Sequence, residues 1–476
     1  MNLSSHSPCE SAPDASENRA VDVSLRLPLL LLFGNAVHWL VIATLISLVL
    51  AIKKIAPDFP EILSGVSWFG YGRLAPIARD LFLYGWASQA ALAAGIWIAA
   101  RLAGRPLEGV IKNSVVVVAI LLWNLAVLLG SLAILAGYST GVEWLEYPNW
   151  ASATLFASFL LIAFRAILLF DYRRSERVEV AQWYVVAGFC SFPWIYGTAN
   201  LLLTWKPLQA SAQGPIQAWF AGTFQLLWLF PIALAALYAL LPRIRGIHLH
   251  RRNLATLGFW GVLFLGGWIG LARLIGGPVP AWMAAAGTVS SVFLLIPIFI
   301  ISMNFLGSSE VESAEVIGDL SRGFLLNGLY ALIGAGALGA LASLPLVSGA
   351  LQFTDASEAT YQLWVFGAVS LPLFGVLYAS IPELLGRDCW CVTLARRHFW
   401  ITIVGFWLSV GFLVIGGLIT GLALIDPVVT FRNVGSFAYP FHVLECLTQT
   451  LLFIASLILG GNLLQALAGN YLFPKR

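Results

Sequence analysis

Residues 215–241 read PIQAWFAGTFQLLWLFPIALAALYALL, and no residue in that run is charged; Pro242 and Arg243 follow it. A helix needs about 20 apolar residues to cross the hydrocarbon core of a bilayer, and it satisfies its own backbone there. The run therefore predicts a transmembrane helix. Comparable runs lie at 27–52, 78–100, 111–136, 148–170, 181–204, 254–275, 282–306, 323–346, 359–381, 398–424 and 437–467. Hydrophobic residues fill 59% of the 476 positions and charged residues 10%, against roughly 25% charged in soluble domains. The expected fold is an all-α polytopic membrane protein with twelve transmembrane helices in one domain over residues 27–470.

Residues 1–26 are polar and lack the apolar core of a signal peptide, so they read as a disordered tail. With the N-terminus inside, the inner segments carry 18 Lys and Arg, among them Arg101, Arg105, Arg243 and Arg397, and the outer loops carry 5: Lys53, Lys54, Arg73, Lys206 and Arg432. Positive charge accumulates on the cytoplasmic side, so both termini are expected to be cytoplasmic. The net charge of +3 follows from that bias and gives no argument for nucleic acid. Five cysteines show no paired metal-binding or haem-attachment spacing. The connection 53–77 breaks helix at Pro57, Pro60, Gly65, Gly70 and Gly72, and with Ile62, Val66, Trp68 and Phe69 it reads as a packed cap at the interface.

Several segments form a series. The second span opens on Tyr71-Gly72-Arg73-Leu74-Ala75-Pro76-Ile77-Ala78-Arg79-Asp80. The sixth contains Gln217-Ala218-Trp219-Phe220-Ala221-Gly222-Thr223 and ends Tyr238-Ala239-Leu240-Leu241-Pro242-Arg243. The seventh contains Gly258-Phe259-Trp260 and Leu265-Gly266-Gly267-Trp268-Ile269-Gly270-Leu271-Ala272-Arg273-Leu274-Ile275. The tenth begins with Thr354-Asp355-Ala356-Ser357-Glu358-Ala359-Thr360-Tyr361-Gln362, and the last two open on His398-Phe399-Trp400 and Tyr439-Pro440-Phe441-His442. Together they resemble the catalytic subunit of cbb3-type cytochrome c oxidases, the C-family of haem-copper oxidases. The family's corresponding runs are FGRLRPLHTNA, QWWYGHNA with YYFVPK, HFW with LYIWAGPHHLH, and TDWTIGHVHSGALGW. The resemblance extends from about residue 30 to 470.

That resemblance implies the subunit I arrangement of twelve helices and, in the family, haem b and copper held by six histidines. The haem-ligand positions here carry Ala78, Thr360 and Gln362, the copper-ligand positions carry Gly222, Ala272 and Arg273, and Gly266 stands in place of a redox tyrosine. Imidazole suits both metals, and none of these residues offers one; a guanidinium at 273 would also repel a cation. No cofactor is expected. Arg273 is expected to fill the vacated cavity and pair with a carboxylate or carbonyls. Because unfilled volume destabilises by about 24 cal/mol per Å³, the interior is expected to refill with side chains or lipid, with Trp86, Phe224, Trp228, Trp268, Tyr361 and Trp364 as candidate side chains.

His38 near mid-membrane, His398 at a span entrance and His442 near the outer end of the last span read as satisfied structural histidines rather than haem ligands. Arg79, Asp80 and Glu445 fall near span ends, where interface solvation is expected. Arg165 and Arg273 alone do not make the ladder of ionisable groups that a conduit requires. The reading that follows is a non-catalytic scaffold or assembly subunit in the bacterial inner membrane, bounded by lipid and docked to a membrane-anchored cytochrome c or other respiratory subunit. The alternatives are an active cbb3-type cytochrome c oxidase or nitric oxide reductase, and a transporter or proton conduit on the same frame.

Overall fold

The computed structural model describes residues 15–63, 65–104, 113–171, 178–245, 252–306 and 316–469. Every regular element among them is helical. The long helices are α1 (Ala15–Ile55), α2 (Tyr71–Ala103), α3 (Asn113–Ala136), α4 (Asn149–Asp171), α5 (Val180–Trp205), α6 (Ala210–Ile244), α7 (Asn253–Leu274), α8 (Ala281–Leu306), α9 (Val316–Ala342), α10 (Asp355–Leu385), α11 (Val392–Ile425) and α12 (Phe431–Ala468). Eleven of them are long and apolar enough to cross a membrane; the exception is α4, whose described apolar part runs only over 149–164.

The helices are not equivalent. In α2, α6 and α10, 94% of the most apolar window is buried, against 50% or less in the other spans, so these three form the centre and the rest surround them. Indole and hydroxyl groups knit this centre together without charge. Trp86 Nε1 donates to Ser370 Oγ at 2.9 Å, Trp228 Nε1 donates to Ser88 Oγ at 3.3 Å, and Trp86 stacks on Phe374 at 4.8 Å. In lipid, where apolar contact alone gives little net drive, close packing and satisfied polar groups hold helices together.

Each central helix widens to π-helical turns, at Leu81–Ala87, Phe224–Leu229 and Gln362–Ser370. Such bulges cluster at functional positions. Glycine permits the tightest approach. A Cβ on Gly222 of α6 would lie 2.6 Å from the backbone nitrogen and 2.7 Å from the Cα of Gly270, in the 3₁₀ turn Ile269–Leu274 that ends α7.

Three expectations change. Residues 15–26 are not a tail: α1 begins at Ala15, Val21 and Leu25 are buried, and Asp22 pairs with Arg101. An ion pair at one end of the bundle lets a polar segment continue the helix, and only residues 1–14 of that stretch lie outside the described residues. The connection 53–77 is not a packed cap, since Ile62 is 94% exposed and Trp68 and Phe69 are exposed as well. Asp80 and Glu445 are buried rather than solvated at an interface. The side chain of Arg165, along with His6, His248, His250 and residue 470, also lies outside the described residues.

Candidate functional site

Two cavities flank the first turns of α10, near the end of the bundle at which α1 finishes. The larger, about 530 Å³, brings together Ala78 from α2 and Gln362 from α10. The smaller, about 380 Å³, brings together Gly222 from α6, Ala272 and Arg273 from the end of α7, and Thr360 from α10. Phe353, Ser357 and Tyr361 line both, so the two share a wall. Side chains alone do not close this space. Trp86, Trp228 and Trp364 pack in the central core, Trp268 is exposed, and of the expected filling rings only Tyr361 and Trp364 line a cavity.

The six positions offer little to a metal. Thr360 Oγ1 donates to the Ala356 carbonyl at 3.1 Å, and Gln362 Oε1 accepts from Ser409 Oγ at 2.9 Å. Ala78, Gly222 and Ala272 have no donor atoms in their side chains. Among the described residues no group of three or more His, Cys, Asp or Glu could hold a metal ion. The three histidines stand in different surroundings. His38 is exposed on the bundle exterior, His398 is buried with its Nδ1 3.1 Å from the Tyr378 hydroxyl, and His442 lines the larger cavity with Nε2 3.3 Å from Asp355.

Arg273 does not fill its cavity. It sits on the wall with 46% of its side chain exposed, 3.7 Å from Glu143, while its backbone carbonyl accepts from Gln352 Nε2 at 2.8 Å. Glu143 also takes Arg79, at 3.0 Å, so one carboxylate bridges an arginine from each cavity. In the larger cavity Lys54 Nζ donates to both oxygens of Glu445, at 3.0 and 2.8 Å, and lies 3.7 Å from Asp355.

Glu143 and Glu146 come from the short connection between α3 and α4. Trp144 between them adopts a left-handed backbone, φ 70°, rare for a bulky residue. It is held by its contacts: its carbonyl accepts from the Tyr84 hydroxyl at 2.5 Å, and its ring meets Phe224 and Tyr361 edge-on. These residues, with Lys54, Asp355 and Glu358, are the part of the site that sequence reasoning missed. A usable signal was the three-residue spacing of Glu143 and Glu146, and of Asp355 and Glu358, which puts each of the latter two on one helix face.

Burial pushes the Glu146 carboxyl up from 4.5 to about 7. The folded protein then holds a proton that the unfolded chain has released. Stability from this group is complete below about pH 4.5 and declines, by up to about 1.4 kcal/mol per pH unit, as pH rises toward 7. Glu146→Gln is expected to flatten the fall in Tm between pH 5 and 7; an unchanged slope would assign the proton elsewhere.

The bundle is thus a polytopic helical membrane protein built round three central helices, with two neighbouring cavities where those helices carry their wide turns. The profile of the family described as "Cytochrome C and Quinol oxidase polypeptide I" matches residues 28–458, and the chain belongs to that family. It is 21% identical over 458 residues to "Cytochrome c oxidase subunit 1 homolog" of Agrobacterium tumefaciens (strain T37), covering 91% of this chain and 82% of the relative. It is 20% identical over 421 residues to "Cbb3-type cytochrome c oxidase subunit CcoN1" of Stutzerimonas stutzeri, covering 85% and 87%. A heme-copper terminal oxidase dimer solved by cryo-EM shares the fold at a TM-score of 0.70 and 15% identity, covering 95% of this chain and 84% of that one.

Proposed function

We propose that this chain is a cofactor-free, non-catalytic member of the family, serving as a scaffold or assembly subunit of a respiratory membrane complex. One observation carries the reading: the six positions at which the resemblance expects histidines line two cavities, and none carries an imidazole. At one of them, Gly222, the Gly270 backbone occupies the space in which any side chain would start. The residues present therefore do not fit haem b or copper. The docking partner in this reading is a membrane-anchored cytochrome c or another respiratory subunit, since relatives are named as oxidase subunits. The chain sits in the bacterial inner membrane with both termini cytoplasmic, supported by the Lys and Arg bias, and with α4 as the twelfth span.

A conduit on the same frame is less well supported. Between the charged residues at the two ends, the central helices are filled by Trp86, Trp228 and Phe374 rather than by ionisable groups. The test is a pyridine haemochrome spectrum with iron and copper analysis on the purified chain. Values near zero are expected. Stoichiometric haem would overturn the proposal and favour the catalytic oxidase that the relatives' names suggest, with His442 as the first ligand to examine.

A further inference from the structure

We propose that the larger cavity binds an organic cation with an apolar body, its charged nitrogen at Glu358 and its hydrocarbon against Phe82, Phe353 and Phe366. The inference rests on the reading of that cavity as free of haem. The cavity's carboxylates are Asp355, Glu358 and Glu445, and its fixed cations are Lys54 and Arg79. Both cations are committed: Lys54 to Glu445 at 2.8 Å and Asp355 at 3.7 Å, and Arg79 to Glu143 at 3.0 Å. Asp355 has His442 as well, at 3.3 Å. The side chain of Glu358, one helical turn further into the bundle, makes no hydrogen bond or ion pair among the described residues. A half-buried carboxylate that lines a cavity and has no ion pair of its own favours a ligand that brings positive charge to it.

The surroundings select the class of ligand. The lining carries three carboxylates, Asp355, Glu358 and Glu445, against the two fixed cations Lys54 and Arg79, which favours a cation over an anion. Phe82 and Phe366 stack at 5.8 Å, and Phe353 and Tyr361 add further rings to the wall; aromatic faces attract a desolvated organic cation. Leu50 and Leu452 add aliphatic surface to the lining. A volume of about 530 Å³ suits a small molecule rather than a bare ion, which would leave most of the space unfilled.

The test uses the full chain in a non-ionic detergent and equilibrium dialysis with tetrabutylammonium and with tributylphosphine oxide, a neutral molecule of similar size. The expected result is at least tenfold tighter binding of the cation, reduced about tenfold by Glu358→Gln and unchanged by Arg273→Gln, which alters the other cavity. Equal binding of cation and neutral compound by the unaltered protein overturns the proposal, and that comparison decides even if Glu358→Gln fails to fold. Haem content is read on the same preparation. Stoichiometric haem would overturn both proposals, whereas haem-free protein without preference for the cation would overturn this one alone.

Discussion

Arg101→Met is expected to lower stability by about 3–5 kcal/mol, the usual consequence of removing one partner from a buried ion pair. Arg101 lies near the end of α2. Its Nε donates to Asp22 Oδ1 at 3.0 Å and a terminal nitrogen donates to Asp22 Oδ2 at 2.5 Å; it also pairs with Glu383 of α10 and lies 5.6 Å over the Trp97 ring. The Arg101 and Asp22 side chains are only 10% and 4% exposed, so solvent cannot take over either charge. The pair fastens the first turns of α1 to two of the three central helices. The substitution leaves Asp22 buried and unpaired, whereas Glu383, 45% exposed, rehydrates. Thermal unfolding in detergent checks this, with Asp22→Asn added to Arg101→Met expected to recover most of the loss. If Arg101→Met unfolds at the unaltered temperature, the pair is solvated and contributes little.

Lys54→Met is expected to have the next largest effect, about 3 kcal/mol, at the lower end for a buried pair because the cavity admits water. Lys54 and Glu445 are 21% and 9% exposed, and they join α1 to α12 with Asp355 of α10 as the third member. Removing the ammonium leaves two carboxylates facing each other across the cavity mouth. A double-mutant cycle with Glu445→Gln measures the coupling. The double variant should be closer to the unaltered protein than Lys54→Met is, because a pair removed as a unit leaves no orphaned charge. Additive losses in the cycle would show that the two side chains act independently.

The spans were legible because length and apolarity are local properties. The run at 215–241 is a membrane helix in any surroundings. The six positions that the resemblance singled out lie in two cavities, Ala78 with Gln362 in one and Gly222, Ala272, Arg273 and Thr360 in the other, a grouping that chain order did not give. What fills those cavities was not legible. Arg273 was expected to fill its cavity and pair with a carboxylate or carbonyls; it pairs with Glu143 but stands on the wall, at the 3₁₀ turn whose Gly270 lies against Gly222.

The sequence by itself thus determined that the chain is a bundle of membrane-length helices, since length and apolarity follow from the order of residue types along the chain; the replacement of the family's ligands is part of the proposed reading. Tertiary structure alone decided which charges pair. Lys54 meets Glu445 across 391 positions, Arg101 meets Asp22 across 79 and Glu143 joins Arg79 to Arg273. Among the described residues the same contacts leave the Glu358 side chain without a hydrogen bond or ion pair. In a low-dielectric interior the energy of a charge depends on what lies within a few ångströms of it, and chain order does not encode that distance.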